Sequence, residues 1–317
     1  MRRLLVVALL LALPAAAQNF PERAPRILGG FAGGGTSDIV NPILAESAAT
    51  SFGIRPVVEV RTGANGFIAT AEAVRSPADG HTIVQCSTGL LTISPELSGA
   101  NMAVEPGRDL IPIANFAHST QVMVVAARSP HRSLTEFLAA ARPQPGTLTC
   151  ASAGIGAVSQ LSGARVEQLA GVQMVHVPYR GAAPGVLDVM AGRTDTIITN
   201  LGDVAAQVRA GEMRLLAFAD GVGSAAHPGV AQVGDVVAGY AESGWFGFCA
   251  PRGMPDAIVA RWAKAILVAT QDATTQRRLN DNGLVPRYEA PAAFQQTIVA
   301  DRAIWREVIR VAGIRAE

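Results

Sequence analysis

Beyond residue 17, short runs rich in Val, Ile and Thr alternate with longer Ala- and Leu-rich stretches whose apolar positions recur at helical spacing. That alternation is the pattern of an α/β protein. Two stretches follow one plan. In the first, the predicted strand Arg26-Ile27-Leu28 leads into the loop Gly33-Gly34-Gly35-Thr36-Ser37-Asp38, and a helix runs to about Ser51. The strand Pro56-Val57-Val58-Glu59-Val60, the turn Gly63-Ala64-Asn65-Gly66 and a second helix follow, before the strand Thr82-Ile83-Val84-Gln85-Cys86 ends in Ser87-Thr88-Gly89. In the second, Thr147-Leu148-Thr149-Cys150 leads into Gly154-Ile155-Gly156-Ala157-Val158-Ser159 and a helix to about Ala170. Then come the strand Met174-Val175-His176-Val177, the turn Gly181-Ala182-Ala183-Pro184-Gly185, a helix, and a last strand ending in Thr199-Asn200-Leu201-Gly202.

The two Gly-rich points lie 29 residues apart in the first copy (Gly34 to Gly63) and 27 in the second (Gly154 to Gly181). A unit of this length, occurring twice, predicts two similar α/β lobes and is too long for a solenoid repeat. The C-terminal part lacks the plan. It predicts a strand around Trp245-Phe246-Gly247-Phe248-Cys249-Ala250 and a helix from Pro255 to about Ala269. A final amphipathic helix from Pro291 to Val311 has Phe294, Ile298, Ile304, Trp305 and Ile309 as core contacts. Returned to the first lobe, these elements give two crossovers. Lobe 1 is then expected at 18–122 and 226–317 and lobe 2 at 123–225, each a sheet flanked by helices, with a ligand cleft between them.

The first seventeen residues are of another kind. Met1-Arg2-Arg3, the apolar run from Leu4 to Leu13 and the small-residue site Ala15-Ala16-Ala17 form the three parts of a cleavable secretory signal. The apolar run falls short of the roughly 20 residues that a bilayer span needs. Export to the periplasm is therefore expected, and cleavage would remove two arginines, taking the net charge of the 317-residue chain from +1 to −1.

Charged residues make up 16% and aromatic residues 5% of the chain, with Lys264 the only lysine. So balanced and aromatic-poor a surface offers neither a phosphate-neutralising face nor a stacking platform, which excludes nucleic acid as a partner. Three cysteines, Cys86, Cys150 and Cys249, leave at least one thiol outside any intrachain pair. Cys86 and Cys150 both sit in apolar strand-like runs, where inert buried thiols are expected.

In α/β sheets ligands bind beyond the carboxyl ends of parallel strands, where the next helix begins with free N–H groups and partial positive charge. The loops at 33–38, 63–66, 87–89, 154–159, 181–185 and 199–202 are all expected to face one cleft. Thr36, Ser37, Ser87, Thr88, Ser159, Tyr179 and Asn200 add neutral hydrogen-bonding groups, a set suited to a small anion held by amides and hydroxyls. Asp38 suits the dipole of its own helix, or else an amine or hydroxyl in the cleft. Arg61 and Arg180, beside the two Gly turns, could meet a carboxylate or remain solvated. Enzyme signatures fail: Gly154-x-Gly156-x-x-Ser159 lacks the third glycine of a dinucleotide loop, and no phosphate-binding Gly-Lys-Ser/Thr or Gly-x-Ser-x-Gly elbow occurs. The five histidines show no metal-ligand spacing, and His176 reads as a core histidine inside its strand. No cofactor and no metal are expected.

In order along the chain stand Arg61-Thr62-Gly63-Ala64-Asn65-Gly66, Ala78-Asp79-Gly80-His81-Thr82, Ala151-Ser152-Ala153-Gly154, Val177-Pro178-Tyr179-Arg180-Gly181 and Trp245-Phe246-Gly247. With the first Gly loop they resemble the Bug family, the periplasmic solute-binding receptors of tripartite tricarboxylate transporters. The resemblance implies a two-lobed periplasmic binding protein of the Venus-flytrap kind, monomeric and without catalysis, that closes on a small organic acid or amino-acid-like ligand. It also implies a membrane permease of the tripartite tricarboxylate type as partner. By position it places Phe31, Gly34, Thr36, Asp38, Ser87, Thr88, Ser152, Gly156, Tyr179 and Asn200 at the ligand. The first loop, Gly30-Phe31-Ala32-Gly33-Gly34-Gly35, lacks the prolines common in the family, and Asp203 adds an acid near the cleft. Ligand identity is open. A sensor subunit for a membrane signalling protein, or an exported enzyme with an unrecognised site, are the alternatives.

Overall fold

The structure is a computed structural model and describes residues 20–31, 36–97, 102, 104–220, 227–240 and 244–315. The expected signal at 1–17 lies outside them. The chain opens with β1 (Arg26–Gly29), α1 (Ser37–Phe52), β2 (Val57–Val60), α2 (Phe67–Arg75) and β3 (Thr82–Ser87), then α3 (Pro106–Asp109) and β4 (Leu110–Ser119). It continues through β5 (Gln121–Ala126), α4 (Leu134–Ala141), β6 (Thr149–Ser152), α5 (Val158–Ala170), β7 (Val175–Pro178), α6 (Ala182–Ala191) and β8 (Thr196–Asn200). After α7 (Leu201–Arg209), β9 (Met213–Phe218) and α8 (Val233–Val236) come β10 (Gly244–Pro251), α9 (Asp256–Gln271), α10 (Ala273–Asn280), β11 (Leu284–Glu289) and α11 (Pro291–Ala312).

Two mixed sheets result, in the orders β2-β1-β3-β10-β4-β11 and β7-β6-β8-β5-β9. The predicted repeat is visible in both. A parallel trio (β2-β1-β3, β7-β6-β8) is joined at the same edge by an antiparallel strand, β10 or β5. In each sheet that strand belongs to the chain arriving from the other one. β4 crosses over at Thr120 to become β5, and the return enters the first sheet at Gly244. Val233, Val237 and Tyr240 still pack in the second lobe's core. The crossings thus fall at 120 and beyond 240, whereas the sequence pattern suggested 122 and 226.

Strands buried on both faces place alternate residues in opposite cores. Met123 and Val125 of β5 join Phe137 and Leu216, while Val122 and Val124 join Val186, Ile197 and Phe218. β10 does the same for the first lobe, with Phe246 and Phe248 beside α1 and α9 and Trp245 against Phe294 of α11. Trp262 of α9 is completely buried and packs edge-on against Phe52 with ring centroids 4.7 Å apart. Five of the C-terminal contacts were expected in the core. Phe294, Ile298, Trp305 and Ile309 are there, but Ile304 is 48% exposed because it falls on the outer face of α11.

The cysteine reading needs correcting. Cys86 bonds Cys249, which the antiparallel pairing of β3 with β10 brings diagonally beside it, Cys86 lying opposite Gly247 and Cys249 opposite Val84, and Cys150 remains the buried free thiol. Among the described residues no helix is long and apolar enough to cross a membrane.

The Gly turns match between lobes in detail. Gly63 (φ 124°, ψ 163°) and Gly181 (φ 113°, ψ 168°) adopt one conformation that only glycine takes readily. Just before them, the Arg61 N–H donates to the Gly29 carbonyl at 2.8 Å and the Tyr179 N–H to the Ser152 carbonyl at 2.9 Å. The chain therefore equates Arg61 with Tyr179 and Thr62 with Arg180.

Candidate functional site

A cavity of about 760 Å³ lies between the lobes, within the size range of small-molecule sites. Its walls come from both sheets at the ends of their parallel strands. Phe31, Thr36, Thr62, Ser87 and Thr88 stand on the first side. Gly154, Ser159, Tyr179, Arg180, Asn200 and Asp203 stand on the second. All six loops picked out in the sequence contribute at least one lining residue. Where the chain crosses, Ser119, Gln121 and Gly244 form part of the wall, and Trp245 and Phe246 add an apolar surface.

Helix starts make the cavity a donor-rich place. α1, α5, α6 and α7 begin at its wall, with Thr36, Ala157, Gly181 and Asn200 at their N-caps, and none has a side-chain cap. Elsewhere Ser133 caps α4, Asp272 caps α10, and α9 and α11 start at prolines, while α2 and α3 also lack a side-chain cap. An uncapped first turn leaves N–H groups and the positive end of the helix dipole to be satisfied by something else.

The hydroxyls add to this. The Ser87 Oγ accepts the Leu90 N–H at 3.4 Å, the Thr88 Oγ accepts the Trp245 N–H at 2.9 Å, and the Ser159 Oγ accepts the Ala153 N–H at 2.8 Å. A hydroxyl that accepts from the backbone keeps its own proton to donate. These side chains fasten the loops and supply donors together.

Other predicted residues have different work. The Tyr179 hydroxyl donates to Asp188 Oδ2 at 2.6 Å, so its ring lines the wall while its polar end faces helix α6. Burial, then the Asp188 carboxylate, push the Tyr179 pKa up. Asp203 accepts from the Thr36 N–H at 3.3 Å and the Thr36 hydroxyl at 3.2 Å across the lobes. From its own lobe it accepts from the Thr199 hydroxyl at 2.7 Å and Asn200 Nδ2 at 3.0 Å. Asn200 Oδ1 in turn accepts from Ser119 and Gln121 at the crossover. The acid near the cleft is thus an interlobe bridge with its oxygens occupied.

Two expectations move off the wall. Ser152 is completely buried behind it, with no hydrogen-bond partner for its hydroxyl, because the strand end points that side chain into the lobe. Gly156 faces away, where its N–H donates to Gln160 Oε1 at 2.8 Å and a Cβ would meet Leu97 Cδ1 at 2.4 Å. Gly34 lies outside the described residues, as do the side chains of Ser37 and Asp38. Arg61 is taken up by Glu59 and Glu72 and does not line the cavity. His176 is only partly buried and contacts Glu167. Sequence reasoning missed Ser119 and Gln121, which no motif marks, since only the strand crossing places them at the wall. Among the described residues no group of three or more His, Cys, Asp or Glu converges as a metal site.

The chain was compared with known proteins. A family model described as "Tripartite tricarboxylate transporter family receptor" matches residues 40–314. A protein from Pseudomonas sp. (strain P51), named for the tcbD-tcbE intergenic region, is 31% identical over 296 residues, covering 92% of this chain and 86% of its own. Among solved structures, Rpa4515 of R. palustris with adipate superposes with a TM-score of 0.89 at 27% identity, covering 93% of this chain and 99% of that one. The periplasmic binding protein BugD gives a TM-score of 0.85 at 26% identity, covering 94% of this chain and 100% of that one.

Proposed function

This chain belongs to the tripartite tricarboxylate transporter family of receptors, the Bug proteins, which bind solutes and are not enzymes; from that premise we propose that it captures a small carboxylate-bearing molecule between its lobes. We propose further that it is exported through its N-terminal signal and passes the ligand to a tripartite tricarboxylate-type permease.

The observation that carries the carboxylate reading is the donor-rich wall. Four helices open on the cavity without side-chain caps, and Ser87, Thr88 and Ser159 hold hydroxyl protons ready beside them. Such a wall neutralises an anion through many weak partial charges, without a buried lysine or a metal. The relative whose solved structure is described with adipate supports a carboxylate as the ligand class. Phe31, Trp245 and Phe246 then enclose the carbon chain.

A thermal-shift panel of carboxylic acids, amino acids and their amides tests this on the purified protein. A true ligand at 100-fold over its Kd stabilises the fold by roughly 2.7 kcal/mol, and amides of the same skeleton should do much less. If no carboxylate in a broad panel raises the melting temperature, the reading fails.

A further inference from the structure

The two lobes present equivalent turns to the cavity, but not equivalent charge. Gly63 and Gly181 share one conformation, and the matched backbone bonds from Arg61 and Tyr179 fix the register. The residue next to each glycine lines the cavity in both lobes: Thr62 in the first and Arg180 in the second. A neutral hydroxyl thus lines the first side where an exposed guanidinium lines the second.

The surroundings sharpen the contrast. Arg61, one position earlier, is claimed by Glu59 Oε2 at 2.7 Å and Glu72 Oε2 at 2.8 Å. In the second lobe the carboxylate of helix α6, Asp188, is taken up by the Tyr179 hydroxyl and by Arg193. Arg180 makes no ion pair with any described carboxylate. The other formal charge on the described wall, Asp203, already receives donors from Thr36, Thr199 and Asn200. Among the described side chains, one strong, fork-shaped cation is thus left without an ion pair beside helix termini and hydroxyls that can take a carboxylate of their own.

We infer that Arg180 is a specificity-determining residue that engages a second anionic group, so that the receptor selects molecules with two carboxylates over those with one. This rests on the carboxylate reading above and adds to it the count of charges. The amide and hydroxyl wall takes one carboxylate, the apolar surface of Trp245 and Phe246 takes the carbon chain, and the guanidinium takes the second carboxylate. The exclusion works by charge: a monocarboxylate leaves Arg180 with water, whereas a dicarboxylate satisfies it.

Titration calorimetry with adipate and hexanoate, two acids of equal carbon count, tests the inference. Shorter and longer pairs extend it if this pair is a poor fit. Wild-type protein should prefer the diacid by about tenfold or more, the usual effect of a charge-assisted contact. Arg180→Thr, which gives the second lobe what the first carries, should abolish that preference and leave affinity for the monoacid nearly unchanged. Arg180→Lys should keep part of the preference, and Arg61→Gln should leave it intact. Equal diacid preference in wild type and Arg180→Thr overturns the inference while leaving the carboxylate reading standing. A wild-type protein that binds no acid of either kind overturns both.

Discussion

The first lobe is a six-stranded sheet assembled from both ends of the chain, and the second is a five-stranded sheet cut from one continuous stretch. In the first, β3 and β10 are bonded covalently through Cys86 and Cys249, and α9 and α11 pack across the faces with Trp262 and Phe294. The equivalent strands of the second, β8 and β5, have no covalent link among the described residues and meet through the ladder, the buried Ile197, Ile198, Val122, Met123 and Val124, and side-chain bonds such as Gln121 to Asn200. Yet the second lobe brings α5, α6, Asn200, Asp203 and Arg180 to the cavity. One fold unit used twice has become a stapled frame on one side and, on the other, a jaw that brings the cavity its charged groups.

The sharpest way to break this contrast is to remove the staple. A link between positions 163 residues apart closes a long loop, and Cys86→Ala with Cys249→Ala should cost about 2–5 kcal/mol. The loss should fall on the first lobe. Trp245 and Trp262, in β10 and α9, lie within that lobe, and Trp305 on α11 sits where it meets the second, so indole fluorescence reports the first lobe and its joint. Cys150 reports the other: burial pushes its thiol up to about 12, and a thiol reagent should reach it only when the second lobe opens. A fluorescence melt that shifts downward while Cys150 labelling keeps its wild-type temperature would confirm two separable lobes. Equal shifts in both would show one cooperative unit instead.

What could be read from the chain follows the same division between local and distant. The repeated β-α-β-α-β plan, the Gly turns and the helix starts are encoded within about thirty consecutive residues, and hydrophobic period and glycine placement display them directly. α5 ends at Ala170 as the pattern predicted, and Gly63 and Gly181 are where the turns demand them. The rest depended on partners far away. Cys249 comes beside Cys86 only once β10 has returned from the second lobe, and Ser119 and Gln121 reach the wall only because β4 continues into β5. The family resemblance placed Ser152 at the ligand, but its side chain turns inward, one position from Ala153 on the wall. Periodicity also misplaced Ile304, since the neighbours of a 22-residue helix, not its own pattern, decide which edge stays wet.

A second asymmetry should appear with pH. His118 on β4 is held in its neutral form, its pKa pushed down to about 4 by burial and then by the nearby Arg287 charge. The unfolded chain binds that proton at the ordinary value near 6.5, so the unfolded state carries more protons between the two values. Its contribution is therefore full above about 6.5 and is lost as the pH falls towards 4, at most roughly 3 kcal/mol. Denaturant titrations followed by indole fluorescence at pH 7.5 and 4.5 should show the loss, and His118→Gln should shrink it. An identical pH dependence in the variant would place the acid sensitivity elsewhere.

The finest test concerns the joint between frame and jaw. Asp203 crosses the cavity to take both the N–H and the hydroxyl of Thr36, at the start of α1, while its other oxygen is held by Thr199 and Asn200. Asp203→Asn keeps the shape but removes the charge and exchanges one acceptor oxygen for a donor, so the bridge to Thr36 competes with the bonds to Thr199 and Asn200. A charge-assisted bond so reduced costs about 1 kcal/mol, a shift of about fivefold in any balance between joined and separated lobes. Small-angle scattering of the ligand-free variant should therefore give a larger radius of gyration than wild type. Saturating ligand should bring the two together, because ligand contacts then supply the link. An unchanged radius would assign the joint to packing, where Leu97, Val158 and Leu161 meet Trp305 and Ile309. In that case the jaw is held to the frame by α11, and Asp203 serves only to order the first turn of α7.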